Sequence, residues 1–147
     1  MAIDFLSTEN IATLHPKLQP VATKLIELAQ AKGINVKGIC GTRTYAEQNE
    51  LYAQGRTKPG KVVTKAKGGE SIHNFGLAFD IGIFSADNKT YHGEHMDYKV
   101  VGPIGQQLGL EWGGNWKFVD EPHFQLKHGK GLAQLRDCVA TNKDVLS

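Results

Sequence analysis

The chain has 147 residues, about the size of one domain, with 40% hydrophobic and 22% charged residues. It carries 17 Lys plus Arg against 15 Asp plus Glu, for a net charge of +2. This balance excludes a protein that holds duplex nucleic acid mainly through its phosphates, so no nucleic-acid partner is expected. No apolar run approaches the roughly 20 residues that span a bilayer, which excludes integral membrane association. Residues 1–147 are predicted to form a single domain.

Two helices are predicted in the first part of the chain. Ser7 can cap a short first helix, and Pro16 suits the first turn of a second helix, where its missing N–H costs nothing. Gly33 is expected to end that second helix, and a strand over 34–40 follows.

A third helix is predicted from a capping-box pattern. Thr44 and Glu47 have the spacing of that motif, and Gly55 is expected to end the helix. The basic stretch 56–70 shows no periodicity of its own, so it is predicted to be a long loop. Loops of this length are usually functional or disordered.

The second half of the chain favours strands. The predicted elements there are a strand over 77–83, a helix ending before Gly109, strands over 110–112 and 118–126, and a helix over 132–139. Because helices lead and strands cluster afterwards, the fold class is predicted to be α+β, with an antiparallel sheet flanked by helices.

Two of these predicted strands carry candidate metal ligands. The apolar neighbours of Asp80 alternate towards the core, so Asp80 is expected to project from the opposite face. In the later strand, His123 and Gln125 share the polar face. If the two strands pair, Asp80 and His123 meet on that face, and His73 enters from the loop just upstream.

Two imidazoles and one carboxylate are a suitable set for Zn²⁺, with a fourth position left for water. The ion lowers the pKa of such a water from about 15.7 to about 7, roughly 12 kcal/mol of easier deprotonation. A positioned base contributes only about 3–5 kcal/mol. Asp120, three residues before His123, is the candidate base. Glu121 is a rival, but strand alternation would turn it to the opposite face.

Taken singly, a strand Asp or an isolated His is more often an ordinary hydrogen-bonding residue than a ligand. The two motifs together are more specific. The pattern Ser-x-His-x-x-Gly-x-Ala-x-Asp at 71–80, with Asp-Glu-Pro-His-Phe at 120–124, resembles the zinc D-Ala-D-Ala carboxypeptidase and L-alanyl-D-glutamate endopeptidase family. Segments 41–48, 51–57 and 109–114 extend the similarity, which covers about residues 7–126. The resemblance implies a Hedgehog/DD-peptidase-like fold and one Zn²⁺ per chain.

The resemblance also implies roles for individual residues. It suggests metal ligation by His73, Asp80 and His123, catalysis by Asp120 and Arg43, and substrate binding by Ser71 and Gln48. A role for Arg43 has a physical reason as well, because a fixed guanidinium stabilises the negative oxygen that develops when a peptide carbonyl is attacked. Many members of the family carry an acidic residue where Asn115 stands, which affects the subsites rather than the metal.

Three functions remain open. The first is a peptidoglycan hydrolase that cuts the L-Ala–D-Glu bond of the stem peptide, as phage endolysin-like members do in host lysis. The second is a D-Ala-D-Ala carboxypeptidase or dipeptidase. The third is a non-catalytic zinc module that binds the cell wall, which Asp120 and Arg43 disfavour because a structural zinc needs neither. The length and segment 51–57 favour the first.

The amino-terminal segment 1–6 lacks the basic and long apolar regions of a secretory signal. We therefore expect cytoplasmic synthesis, later access to the cell wall, and a monomer. Cys40 and Cys138 are predicted to be buried thiols rather than a disulfide, with a nucleophilic Cys40 as a weak alternative.

Two further motifs are weaker. Segment 55–61 resembles a phosphate-binding loop, but Val62 stands where a Ser or Thr is required. His92 and His95, with Asp97, form either a second metal cluster or a solvated loop.

Overall fold

The computed structural model describes residues 3–147 of the chain. The first two residues, which belong to the segment used for the signal-peptide prediction, lie outside it. The α-helices are α1 Phe5–Ala12, α2 Gln19–Ala31, α3 Tyr45–Ala53, α4 Tyr98–Gln107 and α5 Leu132–Ala140. The strands are β1 Val36–Cys40, β2 Ala78–Phe84, β3 Tyr91–His92, β4 Leu110–Trp112 and β5 His123–Leu126. Short 3₁₀ turns span Ile72–Phe75 and Gly113–Asn115.

The beginnings of α1 and α2 differ from the prediction. Asp4, not Ser7, caps α1, because its carboxylate accepts the Ser7 backbone N–H at 3.0 Å. The Ser7 hydroxyl is buried, donates to Asp4 at 2.6 Å and accepts the Gly38 N–H at 2.8 Å, which ties α1 to β1. Helix α2 begins at Gln19 with Pro20 in its first turn, whereas Pro16 lies in the preceding turn.

The sheet is antiparallel throughout, with strand order β1-β2-β5-β4 and with β3 added against β2. Strand β5 begins at His123 rather than at Phe118, because 116–122 form bends and a turn that ends at Pro122. Across residues 3–147, no helix has the combination of length and apolar character needed to cross a membrane.

Helices α1, α2 and α4 cover one face of the sheet and form the main core with its apolar side chains. Helix α4 approaches closely because it carries glycines. A Cβ at Gly105 would lie 2.4 Å from the Phe124 ring, and one at Gly102 would lie 2.3 Å from the Trp112 ring. A second, smaller cluster packs α5 against Phe75 and Leu77. The polar residues of β2 and β5 are left on the face opposite the main core.

Candidate active site

The sheet brings two of the predicted metal ligands face to face. Asp80 on β2 and His123 on β5 are direct partners in the antiparallel register. His73 lies in the 3₁₀ turn just before β2, where the Ser71 hydroxyl accepts its backbone N–H at 3.3 Å. Asp80 Oδ1 lies 3.4 Å from His73 Nε2 and 3.3 Å from His123 Nδ1. The three side chains therefore converge on one point.

The distances between these atoms fit a tetrahedral metal. His73 Nε2 and His123 Nδ1 lie 3.2 Å apart, so the three edges of the triangle are nearly equal. At Zn–ligand distances of about 2.0–2.1 Å, tetrahedral ligands are about 3.3–3.4 Å apart. Asp80 Oδ1 is buried and has no hydrogen-bond partner among residues 3–147. A donor set of two imidazoles and one carboxylate with this spacing suits zinc.

The electrostatics of the site favour positive charge between these groups. Burial alone would lower the pKa of His73, but hydrogen bonding and the charge of Asp80 outweigh it and raise the pKa to about 9. Burial would raise the pKa of Asp80, yet the adjacent His123 and His73 imidazoles hold it well below its usual range. His73 and Asp80 therefore form a pair that favours a proton or a cation between them.

Arg43 stands beside the ligands. Its backbone N–H donates to the His73 carbonyl at 2.9 Å, which fixes the segment after β1 against the 3₁₀ turn. Its guanidinium Nη2 lies 3.8 Å from Asp80 Oδ2, and Nη1 donates to Gln48 Oε1 at 2.9 Å. The guanidinium is thus held in one place next to the converging donor atoms.

Gln48 does not occupy the place expected for a substrate-binding residue. Its side chain is fully buried in α3, so it presents no surface to a substrate. Its oxygen accepts from Arg43, and its Nε2 donates to the Ala66 carbonyl at 2.9 Å. The prediction that Gln48 binds substrate is therefore wrong, because its amide oxygen and amide nitrogen both form hydrogen bonds inside the protein. Gln48 joins Arg43 to the long loop.

The loop over 56–70 contains no helix, as predicted, and α3 holds it in place. Side chains of α3 and of the turn after it bind loop backbone atoms: Asn49 accepts from Gly68, Gln54 donates to Lys61, and Arg56 donates to Thr64. Val63 and Thr64 then line the cavity above the ligands. The loop therefore forms one wall of the site.

Asp120 also lies close to the candidate ligands. One carboxylate oxygen lies within 4.8 Å of ligand atoms of Asp80 and His123. Burial and the charge of Asp80 raise the pKa of Asp120. Its backbone packs against Gly113, whose carbonyl accepts the Asp120 N–H at 2.9 Å, and a Cβ at Gly113 would lie 2.3 Å from the Asp120 carbonyl oxygen. Glu121 does not line this cavity, whereas Asp120 does.

These groups surround a cavity of about 520 Å³. The lining residues are Arg43, Leu51, Val63, Thr64, Glu70, Ser71, Ile72, His73, Asp80, Trp116, Asp120, His123, Gln125 and Leu132. Ser71 is thus one of the residues that line the cavity. The Trp116 ring packs 4.9 Å from the His123 ring, centroid to centroid, while Trp112 is buried in the core.

Sequence reasoning missed the position of Cys40 relative to this site. Cys40 pairs with Asp80 across β1 and β2, and its thiol lies within 4.8 Å of ligand atoms of His73 and Asp80. Burial would raise the pKa of Cys40, but hydrogen bonds with His73 and Arg43 lower it. Cys40 lines a neighbouring cavity of about 570 Å³ and is not among the residues that line the first one. The sequence signal that could have indicated this position is that Cys40 is the last residue of the first predicted strand, which pairs with the strand of Asp80.

The two cysteines are free, as predicted, with Cys138 buried and Cys40 half-buried.

The His92 and His95 rings lie 5.2 Å apart, centroid to centroid, beside Asp97. In the part of the chain that the structure describes, the groups of three closely spaced ligand atoms all include Asp80. The His92 region does not form such a group.

Comparisons with known proteins agree with this geometry. Residues 64–126 match a family model described as D-alanyl-D-alanine carboxypeptidase. The chain is 44% identical over 122 residues to the peptidoglycan L-alanyl-D-glutamate endopeptidase CwlK of Bacillus subtilis (strain 168), covering 77% of this chain and 73% of CwlK.

Solved structures share the fold. The L-Ala D-Glu endopeptidase ChiX of Serratia marcescens superposes with a TM-score of 0.60 at 27% identity, covering 84% of this chain and 87% of ChiX. The vancomycin resistance D,D-pentapeptidase VanY, solved in complex with Zn(II), gives a TM-score of 0.58 at 16% identity, covering 90% and 81%. These likenesses confirm the predicted α+β, Hedgehog/DD-peptidase-like fold. On the identity and coverage shared with CwlK, the chain belongs to the zinc D-Ala-D-Ala carboxypeptidase and L-alanyl-D-glutamate endopeptidase family.

Proposed function

We propose that the chain is a zinc peptidase that cleaves the L-Ala–D-Glu bond of the peptidoglycan stem peptide. The observation that carries the proposal is the convergence of His73, Asp80 and His123 at 3.2–3.4 Å beside Arg43 and Asp120. These three side chains would hold one Zn²⁺. When bound, the ion supplies Lewis-acid activation of water and polarisation of the scissile carbonyl.

Asp120 would act as the general base. Its carboxylate lines the cavity within reach of the ligand atoms, and its raised pKa favours both accepting and returning a proton. Asp120 would take the proton of the attacking water and pass it to the departing amine of D-Glu. The close approach of Gly113 to Asp120 sets the position of this carboxylate.

Arg43 would stabilise the oxyanion. The hydrogen bond that the guanidinium donates to Gln48 Oε1, together with the neighbouring Asp80 carboxylate, fixes the guanidinium before any substrate arrives. A charge fixed in advance stabilises developing negative charge without reorganising. We assign Gln48 a positioning function through Arg43, and Ser71 a place in the wall that contacts the substrate backbone.

The choice of bond rests on the relatives. CwlK and ChiX are both L-Ala–D-Glu endopeptidases, and CwlK is the relative with 44% identity. A cavity of about 520 Å³ is within the usual range for small-ligand sites and accepts a few residues of a peptide. Action on the cell wall follows from this substrate. The use of the protein in phage lysis stays a prediction, as does its monomeric state.

A D-Ala-D-Ala carboxypeptidase is the second candidate. The matching family model carries that description, and the VanY structure shows the same fold around Zn(II). The chemistry of the two reactions is identical, and only the pocket around the substrate differs. A non-catalytic zinc module is disfavoured, because neither Arg43 nor Asp120 is needed to hold the ion.

Mass spectrometry of digested peptidoglycan separates the candidates. We expect released peptides with new amino termini on D-Glu, while L-Ala remains attached to the glycan. Release of D-Ala alone would contradict the endopeptidase assignment and support the carboxypeptidase. Binding to the wall without any new termini would support the non-catalytic module.

A further inference from the structure

His123 has two ring nitrogens with different surroundings. Nδ1 faces Asp80 and His73, while Nε2 lies 2.8 Å from Gln125 Oε1. A histidine binds a metal only through a nitrogen that carries no proton, so the proton of neutral His123 must sit on Nε2 if Nδ1 is to be the ligand atom.

The orientation of Gln125 fixes where that proton sits. Gln125 and Glu111 are direct partners across β5 and β4, and Gln125 Nε2 donates to Glu111 Oε2 at 3.1 Å. An ionised carboxylate only accepts hydrogen bonds, so the Gln125 NH₂ group must point to Glu111 and its oxygen must point to His123. That oxygen in turn accepts only from a protonated Nε2.

We propose that Glu111 and Gln125 are positioning residues that hold His123 in its Nε2–H form and thereby raise the affinity of the site for zinc. This inference rests on the metal site of the proposed function. The partners of metal-bound histidines fix ring orientation and protonation, and their loss typically lowers metal affinity about 10–100-fold. For His73 the same task falls to the Gly41 backbone carbonyl, 3.2 Å from Nδ1, so only the His123 side is open to substitution.

The two residues make different predictions when changed. Gln125→Leu removes the acceptor and should weaken zinc binding about 10–100-fold. Glu111→Gln places an amide opposite Gln125. Because an amide both donates and accepts hydrogen bonds, it no longer forces the orientation of Gln125, and we expect a smaller loss of zinc affinity than in Gln125→Leu. The double change Glu111→Gln with Gln125→Glu reverses the pair, because the new amide at 111 can donate to the new carboxylate at 125. That carboxylate still accepts from His123 Nε2, so affinity should recover to near that of the unchanged protein.

The experiment measures zinc dissociation constants by competition with a chromophoric chelator, on the full chain. The exposed glutamine Gln106 provides the control, and Gln106→Leu should leave the affinity unchanged. Nitrogen-15 NMR of the metal-free protein reports the protonated nitrogen directly, and we expect Nε2–H in the unchanged protein and a mixture in Gln125→Leu.

Unchanged zinc affinity in Gln125→Leu, or a double variant no better than Gln125→Leu, would overturn the inference. If Gln125→Leu fails to fold, the double variant and Glu111→Gln still give the comparison. An unchanged protein that binds no zinc at all would instead contradict the proposed function itself.

Discussion

Asp80 and His123 lie directly opposite each other on β2 and β5, with Oδ1 and Nδ1 3.3 Å apart. Because side chains alternate between the two faces of a strand, a shift of one residue in this register would turn one of the two groups into the core. The buried Phe79–Phe124 pair, with ring centroids 5.7 Å apart, holds the register from the other face. Packing on one side of the sheet therefore aligns the candidate ligands on the other.

Asp80→Asn should remove bound zinc while leaving the fold intact. The amide has the size of the carboxylate but no negative charge, so it is a much weaker ligand beside two imidazoles. Atomic emission analysis of the purified variant should find little zinc, with a circular dichroism spectrum like that of the unchanged protein. Asp97→Asn, a change beside His95, is the matched control and should keep its zinc. A full complement of zinc in Asp80→Asn would remove Asp80 from the ligand set.

Asp120→Asn should bind zinc normally and lose activity by about 10²–10⁴-fold, the usual contribution of a positioned base. The control is Glu121→Gln, because Glu121 is the neighbouring carboxylate but does not line the cavity. Turnover of a purified stem peptide measures both. Equal losses in the two variants, or a fully active Asp120→Asn, would mean that the base is wrongly assigned.

Arg43→Ala should lower kcat more than it raises KM, because the role that we propose for its charge is to stabilise the oxyanion rather than to bind the peptide. Loss of one such donor costs about 10²–10³-fold in kcat. Gln48→Leu should give a smaller loss of the same kind, since Gln48 only orients the guanidinium. A raised KM with unchanged kcat in Arg43→Ala would instead indicate a binding role.

Tyr98 should make the fold sensitive to alkaline pH. Burial raises the pKa of Tyr98 to about 12, while its hydroxyl donates to the His92 carbonyl at 2.7 Å and accepts the Ile83 N–H at 3.2 Å. In the unfolded chain the pKa is about 10, so above this pH the unfolded state releases a proton that the folded state keeps. The contribution of protonated Tyr98 to the free energy of unfolding is therefore fully present below about pH 10 and is lost as the pH rises towards 12.

Denaturant titrations of the unchanged protein and of Tyr98→Phe between pH 8 and 12 measure this effect. The unchanged protein should lose on the order of 1–3 kcal/mol more than the variant over this range. Tyr98→Phe should be the less stable protein at pH 8, because two backbone groups lose their partner. Parallel pH dependences in the two proteins would show that Tyr98 does not titrate with unfolding.

Strand alternation was sufficient to predict which side chains share a face. It placed Asp80, His123 and Gln125 on one side of the sheet, where the structure has them. The capping box of Thr44 and Glu47 is likewise formed as expected. Both features depend on short-range geometry that the order of residues determines directly.

Features that depend on tertiary contacts were not predicted. Ser is a common helix-capping residue, but the Ser7 hydroxyl instead donates to Asp4 and accepts from Gly38 on β1. Gln48 lies on a helix face that packs against Arg43 and the long loop, so its burial follows from the path of that loop. Cys40 pairs with Asp80, close to His73, where the pairing of β1 with β2 shifts register between Gly38 and Cys40, and strand alternation alone does not predict such a shift.

The most direct test of the central claim is removal and return of the metal. We predict that the purified chain contains one zinc ion, that a chelator abolishes cleavage of purified peptidoglycan, and that one equivalent of Zn²⁺ restores cleavage, whereas Zn²⁺ does not restore it in His73→Ala. Full activity in a protein shown to be free of metal would contradict the central claim.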